Sequence, residues 1–151
     1  MPVADAGSQV VGEHRARDRG LRRERCQQYD REVDVRRIAI VIDAADVDEL
    51  REFWVAALGY EPFGSAGQYR SAVPAGGADG PKFVFQQVAE PRSSTKNRLH
   101  VDIEVGEAME TECERLVGLG ATRLSGPIAE AGTDWIVMAD PEGNEFCLVH
   151  H

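Results

Sequence analysis

The feature that most constrains this chain is an order of segments that occurs twice. Arg37-Ile38-Ala39-Ile40-Val41-Ile42-Asp43 is a short, β-branched, continuously apolar run, the pattern of a strand buried on both faces. Asp46 then suits an N-cap, and Leu50, Phe53, Trp54, Ala57 and Leu58 recur at helical spacing. Gly59 ends that helix by supplying a left-handed C-cap position. Extended pieces are expected at Tyr60 to Phe63, Gln68 to Val73 and Lys82 to Val88, around the turn Gly76-Gly77-Ala78-Asp79-Gly80. The order then restarts. Leu99-His100-Val101-Asp102-Ile103-Glu104-Val105 alternates as a strand, and an acidic helix follows with Met109, Cys113, Leu116 and Val117 on its apolar positions. Thr122 to Leu124, Asp134 to Ala139 and Glu145 to Val149 complete the second copy. Leu58-Gly59 recurs as Leu119-Gly120, and Phe85 as Phe146, both 61 residues on. Two β-α-β-β-β units joined near Glu90 to Lys96 are therefore expected. A unit of that size buries its own sheet face poorly, so the two copies should pair.

Charge sets the first segment apart. Residues 1–37 hold nine Arg against seven Asp or Glu, whereas the remainder holds eight Lys or Arg against nineteen acids. The opening stretch alternates in sign through His14-Arg15-Ala16-Arg17-Asp18-Arg19 and shows no sustained apolar periodicity. It reads as an Arg-rich, solvated helix or flexible extension over residues 1–34, with the folded domain over 35–151. Module one is expected over about 35–90 and module two over about 97–150.

The whole-chain charge of −9 disfavours nucleic acid and anionic membrane surfaces as partners. No apolar run approaches the roughly 20 residues of a membrane span. Met1 to Gly12 contains no signal-like apolar core, so a secretory signal is not expected. Cys26, Cys113 and Cys147 are odd in number and form no CxxC pair. That usage points to a reducing cytoplasm, away from a disulfide framework or a classical structural zinc site. A nucleotide-binding glycine loop, a serine nucleophile elbow and a paired-histidine helix are all missing from the sequence.

Four stretches carry a family resemblance: Phe53-Trp54-Val55-Ala56-Ala57-Leu58-Gly59-Tyr60, Lys96-Asn97-Arg98-Leu99-His100-Val101-Asp102, Leu119-Gly120-Ala121-Thr122, and Asp140-Pro141-Glu142-Gly143-Asn144-Glu145-Phe146. Together they resemble the glyoxalase-like branch of the vicinal oxygen chelate superfamily, which also holds bleomycin-resistance proteins and dioxygenases. The resemblance implies an α+β fold of two tandem βαβββ modules forming a curled mixed sheet around a shared cavity, commonly in a homodimer. It implies no single reaction, because one scaffold hosts lyases, isomerases, dioxygenases and simple binders.

Metal-dependent members of that superfamily take His, Gln or Glu ligands from the first and last strands of each module. Carried over at the 61-residue offset, those positions are Ala39, Gln86, His100 and Cys147. Only His100 and Gln86 are ordinary ligands there, so the set reads as degenerate. A divalent ion (Zn, Ni, Mn or Fe) belongs to the alternative reading, and no cofactor to the preferred one. His100 and Asp102, at i and i+2, share a strand face and could act as a general acid–base pair or as a hydrogen-bonded polar pair. Cys147 could be a nucleophile or a small buried hydrophobe. Gln86, His100, Trp135, Glu145 and Cys147 form the expected ligand-binding set, with Trp135 as the stacking surface, whereas Phe53 and Trp54 read as core. The favoured function is capture of an apolar or aromatic small molecule, and the alternative is metal-dependent or His-assisted vicinal-oxygen-chelate chemistry.

Overall fold

A computed structural model describes residues 38–90 and 95–151. The expected Arg-rich extension lies outside them. Among the described residues the chain forms β1 (Ala39–Ala44), α1 (Val47–Leu58), β2 (Tyr60–Ala66), β3 (Tyr69–Pro74) and β4 (Lys82–Gln87), then β5 (Val101–Glu104), α2 (Met109–Gly118), β6 (Thr122–Glu130), β7 (Thr133–Ala139) and β8 (Glu145–His150). The first sheet is ordered β1-β4-β3-β2 and the second β5-β8-β7-β6. In each, the first and last strands pair in parallel and the remaining neighbours are antiparallel. The α+β fold is thus two βαβββ modules with mixed, unclosed four-stranded sheets.

Local chemistry sets the helix ends. The Asp46 carboxylate accepts from the amides of Asp48 and Glu49 at 3.1 and 3.0 Å, an N-cap worth about 1 kcal/mol. Gly59 closes α1 at φ +64°, a left-handed conformation that disfavours any side chain.

One apolar cluster serves both modules. Trp54, on α1, lies between Phe83 of the first sheet at 5.2 Å and Phe146 of the second at 5.3 Å between ring centroids. Phe53 meets the Trp54 ring edge-on at 5.5 Å. Leu50, Leu116, Ile136, Met138 and Leu148 fill the rest, all fully buried.

Polar ties cross the same boundary. Asp140 is buried, and its carboxylate accepts from the Trp54 indole at 3.2 Å and from the Glu142 and Asn144 amides at 3.1 and 2.8 Å. Burial pushes the Asp140 carboxyl up, against the pull of these hydrogen bonds. Glu142, from the same turn, accepts from the amides of Ala45 and Asp46 at 2.8 and 2.7 Å. At the other end of α1, which has no basic residue in its last turn, Arg115 of α2 donates to the carbonyls of Ala56 and Ala57 at 3.1 and 2.8 Å. Module two therefore supplies an anion at the N-terminus of α1 and a cation at its C-terminus, as the helix dipole favours.

Three expectations change. β1 is an edge strand. Ile40, Ile42 and Ala44 pack inward while Val41 is 56 % exposed, so it is not buried on both faces. β6 runs to Glu130 rather than Leu124, because Ile128 pairs with Trp135 beyond a register shift. The third change moves a site position. Phe83 sits between Ile40 and Ala72 as Phe146 sits between Val101 and Met138. Phe146 is therefore the counterpart of Phe83, 63 residues on, and not of Phe85.

Candidate functional site

Each sheet turns one face to the shared core and leaves the other open. Because side chains alternate along a strand, burying Phe146 and Leu148 aims Glu145, Cys147 and Val149 at the open face of the second sheet. The pairing then lines up neighbours. Asp102 lies opposite Cys147 and Cys147 opposite Val137, while Glu104, Val149, Trp135 and Ile128 form the next row. A cavity of about 270 Å³ opens on this face, lined by His100, Asp102, Glu104, Thr133, Trp135, Cys147, Val149 and His151.

Its polar centre is compact. His100 Nε2 lies 3.2 Å from Asp102 Oδ1, both side chains being substantially solvent-accessible. One ligand atom from each of His100, Asp102 and Cys147 falls within 4.8 Å of the others. Burial pushes the Cys147 thiol up, and the negative charge of Asp102 pushes it the same way against the weaker opposing charge of Lys96. Cys147 is therefore a neutral thiol near neutral pH, a poor nucleophile in this setting. Trp135 is partly buried, lies opposite Val149 across the strand pair and lines the cavity with it.

The expected residues divide. His100, Asp102, Trp135 and Cys147 come together in this cavity. Glu145 lines a second, larger cavity, which His100 also borders. Gln86 lines neither; it sits on the first sheet between Asp43 and Tyr69. The corrected register explains this, since the first-module counterpart of Cys147 is Val84. Thr133 and His151 were missed. Thr133 Oγ1 and His151 Nδ1 lie 3.1 Å apart at the cavity rim, and only the β6–β7 hairpin register, shifted twice by irregularities, could have placed Thr133 there.

Comparison with known proteins decides the family. A family model described as a glyoxalase-like domain matches residues 39–149, most of the chain. The chain belongs to the glyoxalase-like domain family. Solved structures share the fold of this glyoxalase-like domain at low identity. A glyoxalase/bleomycin resistance protein/dioxygenase family enzyme from Burkholderia phytofirmans PsJN superposes with TM-score 0.64 at 16% identity, covering 74% of this chain and 95% of that one. A glyoxalase/bleomycin resistance protein/dioxygenase from Nocardioides gives 0.62 at 16% identity, over 86% and 92%. The fosfomycin resistance protein FosX from Mesorhizobium loti gives 0.59 at 12% identity, over 79% and 93%. No curated protein matches the sequence. The fold is that of the vicinal oxygen chelate superfamily.

With the corrected register the four ligand positions are Ala39, Val84, His100 and Cys147, and the two from module one offer no donor atom. The donors that do converge, His100, Asp102 and Cys147, all belong to module two. An imidazole, a carboxylate and a thiol suit a zinc-type ion better than a hard, oxygen-preferring one. Among the described residues no helix is long and apolar enough to cross a membrane.

Proposed function

We propose that this glyoxalase-like protein captures a small apolar or aromatic molecule on the open face of its second sheet. The observation that carries this reading is the pairing, in one cavity of about 270 Å³, of the Trp135 ring and Val149 with the polar pair His100–Asp102. An aromatic plate supplies contact area, and a nearby imidazole and carboxylate fix orientation through a hydroxyl or N–H of the ligand. Cys147, kept neutral by its surroundings, adds apolar contact. The reading takes the protein as cytoplasmic, as the free thiols Cys113 and Cys147 suit. It also takes it as a homodimer, since the open sheet faces leave Val41, Phe63 and Tyr69 exposed. The test is titration calorimetry with 2-naphthol, a neutral aromatic hydroxyl compound. Saturable binding that disappears in Trp135→Ala is expected. Heat that does not saturate, or binding equal in the variant, defeats the proposal.

A second reading, metal-assisted lyase, isomerase or dioxygenase chemistry, is favoured by the three converging donors. His100, Asp102 and Cys147 would hold the ion, which would supply a Lewis acid for substrate oxygens. His100 and Asp102 would then be ligands and not a proton-transfer pair. Elemental analysis of protein purified without chelator separates the readings, in the parent and in a background with His150 replaced by alanine. Stoichiometric metal lost in His100→Ala supports the enzyme. Absence of metal, with no rise in melting temperature on adding Zn²⁺, Ni²⁺, Mn²⁺ or Fe²⁺, supports the metal-free binder.

A further inference from the structure

The cavity on the open face of the second sheet holds two histidine–carboxylate pairs, and the proposed capture of an aromatic molecule uses only the first. His100 Nε2 lies 3.2 Å from Asp102 Oδ1. Further along the same cavity, His151 Nε2 lies 3.9 Å from Glu104 Oε1, and its Nδ1 lies 3.1 Å from Thr133 Oγ1. The Thr133 contact anchors this imidazole at the rim. A hydroxyl donating to Nδ1 leaves Nε2 to carry the N–H on the side of Glu104. All four side chains of the two pairs are between 41 % and 80 % exposed, so a ligand can reach them.

Strand geometry sets the distance between the pairs. Asp102 and Glu104 stand two residues apart on one face of β5, a step of about 7 Å. Glu104 shares a row with Val149 and Trp135, each on the next strand over, which puts Trp135 about 10 Å across the sheet from it. Cys147 and Val149 lie between the acids and the indole and form an apolar floor. The cavity is therefore a slot, with an aromatic residue on one side and two polar anchors spaced along the other. Its volume of about 270 Å³ stands at the small end of ligand pockets.

We infer that this slot selects flat aromatic molecules carrying two hydroxyl or N–H donors about 7 Å apart, one received at His100–Asp102 and the other at His151–Glu104. The rings lie over Cys147 and Val149 beside Trp135. His151 and Glu104 determine specificity, and Thr133 is a positioning residue that acts through His151. This inference rests on the proposed capture in the same cavity and adds its second anchor. A molecule with one donor leaves one pair to water, and donors on adjacent carbons can reach only one pair.

Calorimetric titration of the full chain with 2-naphthol, 2,6-dihydroxynaphthalene and 2,3-dihydroxynaphthalene tests it. The 2,6-diol, with hydroxyls at opposite ends, is expected to bind about tenfold more tightly than 2-naphthol, the gain of one further hydrogen bond to a charged group. The 2,3-diol should gain no more than about twofold, since its second hydroxyl cannot reach the second pair. Glu104→Ala and His151→Ala should each return the 2,6-diol to the affinity of 2-naphthol while leaving 2-naphthol itself unchanged. Thr133→Val should weaken the 2,6-diol alone, by about threefold. Glu104 and His151 are exposed, so their variants should melt as the parent does. Equal affinity for 2-naphthol and the 2,6-diol, an equal gain for the 2,3-diol, or a gain that survives both Glu104→Ala and His151→Ala would overturn this inference and leave the capture reading standing. Failure of all three compounds to bind saturably defeats the capture reading, and this inference with it.

Discussion

The two tryptophans of this chain occupy opposite sides of its sheets and do opposite things. Trp54 is 2 % exposed, touches a phenylalanine from each module and gives its N–H to a buried aspartate. Trp135 lies on the open face, in a cavity with two histidines and two acids. The difference teaches where stability and recognition reside. Among the described residues, the Trp54, Asp140, Glu142 and Arg115 ties between the modules lie on the helix side, and His100, Asp102 and Cys147 gather on the other side. The open faces differ in turn. Tyr69 and Val84 of the first sheet stand where Trp135 and Cys147 stand in the second, and among the described residues the grouped His, Asp and Cys donors lie in module two.

Trp54 should show the largest effect on substitution. Trp54→Ala should cost about 3–5 kcal/mol, by lost packing and an orphaned Asp140, with both modules melting in one transition in urea. A small loss, or separate melting of the two halves, would mean that the cores are independent. Asp140→Ala comes next, at about 3 kcal/mol, because the Trp54 indole and the Asn144 amide lose their buried acceptor. Its pH dependence has a definite sign. The folded-state pKa is raised, so the stability contributed by Asp140 is fully present below the ordinary carboxylate range and is lost as pH rises through the raised value. The advantage of the parent over Asp140→Asn should therefore be greatest in acid and shrink toward neutrality; urea midpoints across that range check this, and a gap that grows toward neutrality would overturn it. Arg115→Ala should cost about 1 kcal/mol through the freed carbonyls of Ala56 and Ala57, read from the same midpoints. On the open face, Trp135→Ala and His100→Ala should stay within about 0.5 kcal/mol of the parent while removing ligand binding. Destabilisation as large as that of Trp54→Ala would erase the distinction between the two sides.

Much of the fold was legible because its signals are local. Alternation, the Asp46 cap and the glycine after Leu58 each act within a few residues, and they mark the elements in the right order. The site was less so. Phe83 and Phe85 share one face of β4 and are both buried, so either could anchor the repeat, and choosing Phe85 carried Gln86 into the ligand set. The turn glycines give the better alignment, since Gly80-Pro81-Lys82-Phe83 matches Gly143-Asn144-Glu145-Phe146 at the register the sheets adopt. Nothing near Asp140 in sequence announces a partner 86 residues away. Likewise, the edge position of β1 depends on which strand stands beside β4, a property of topology that its own composition does not encode.

Glu142 reaching the amides of Ala45 and Asp46 has a kinetic side. Those two N–H groups are sealed by a side chain nearly a hundred residues downstream, so their exchange with solvent deuterium is clocked by the Asp140–Asn144 turn. They would serve as built-in reporters of the opposite half of the molecule: slow while that turn is closed, and the first to quicken when it opens, before any strand of module one has come apart.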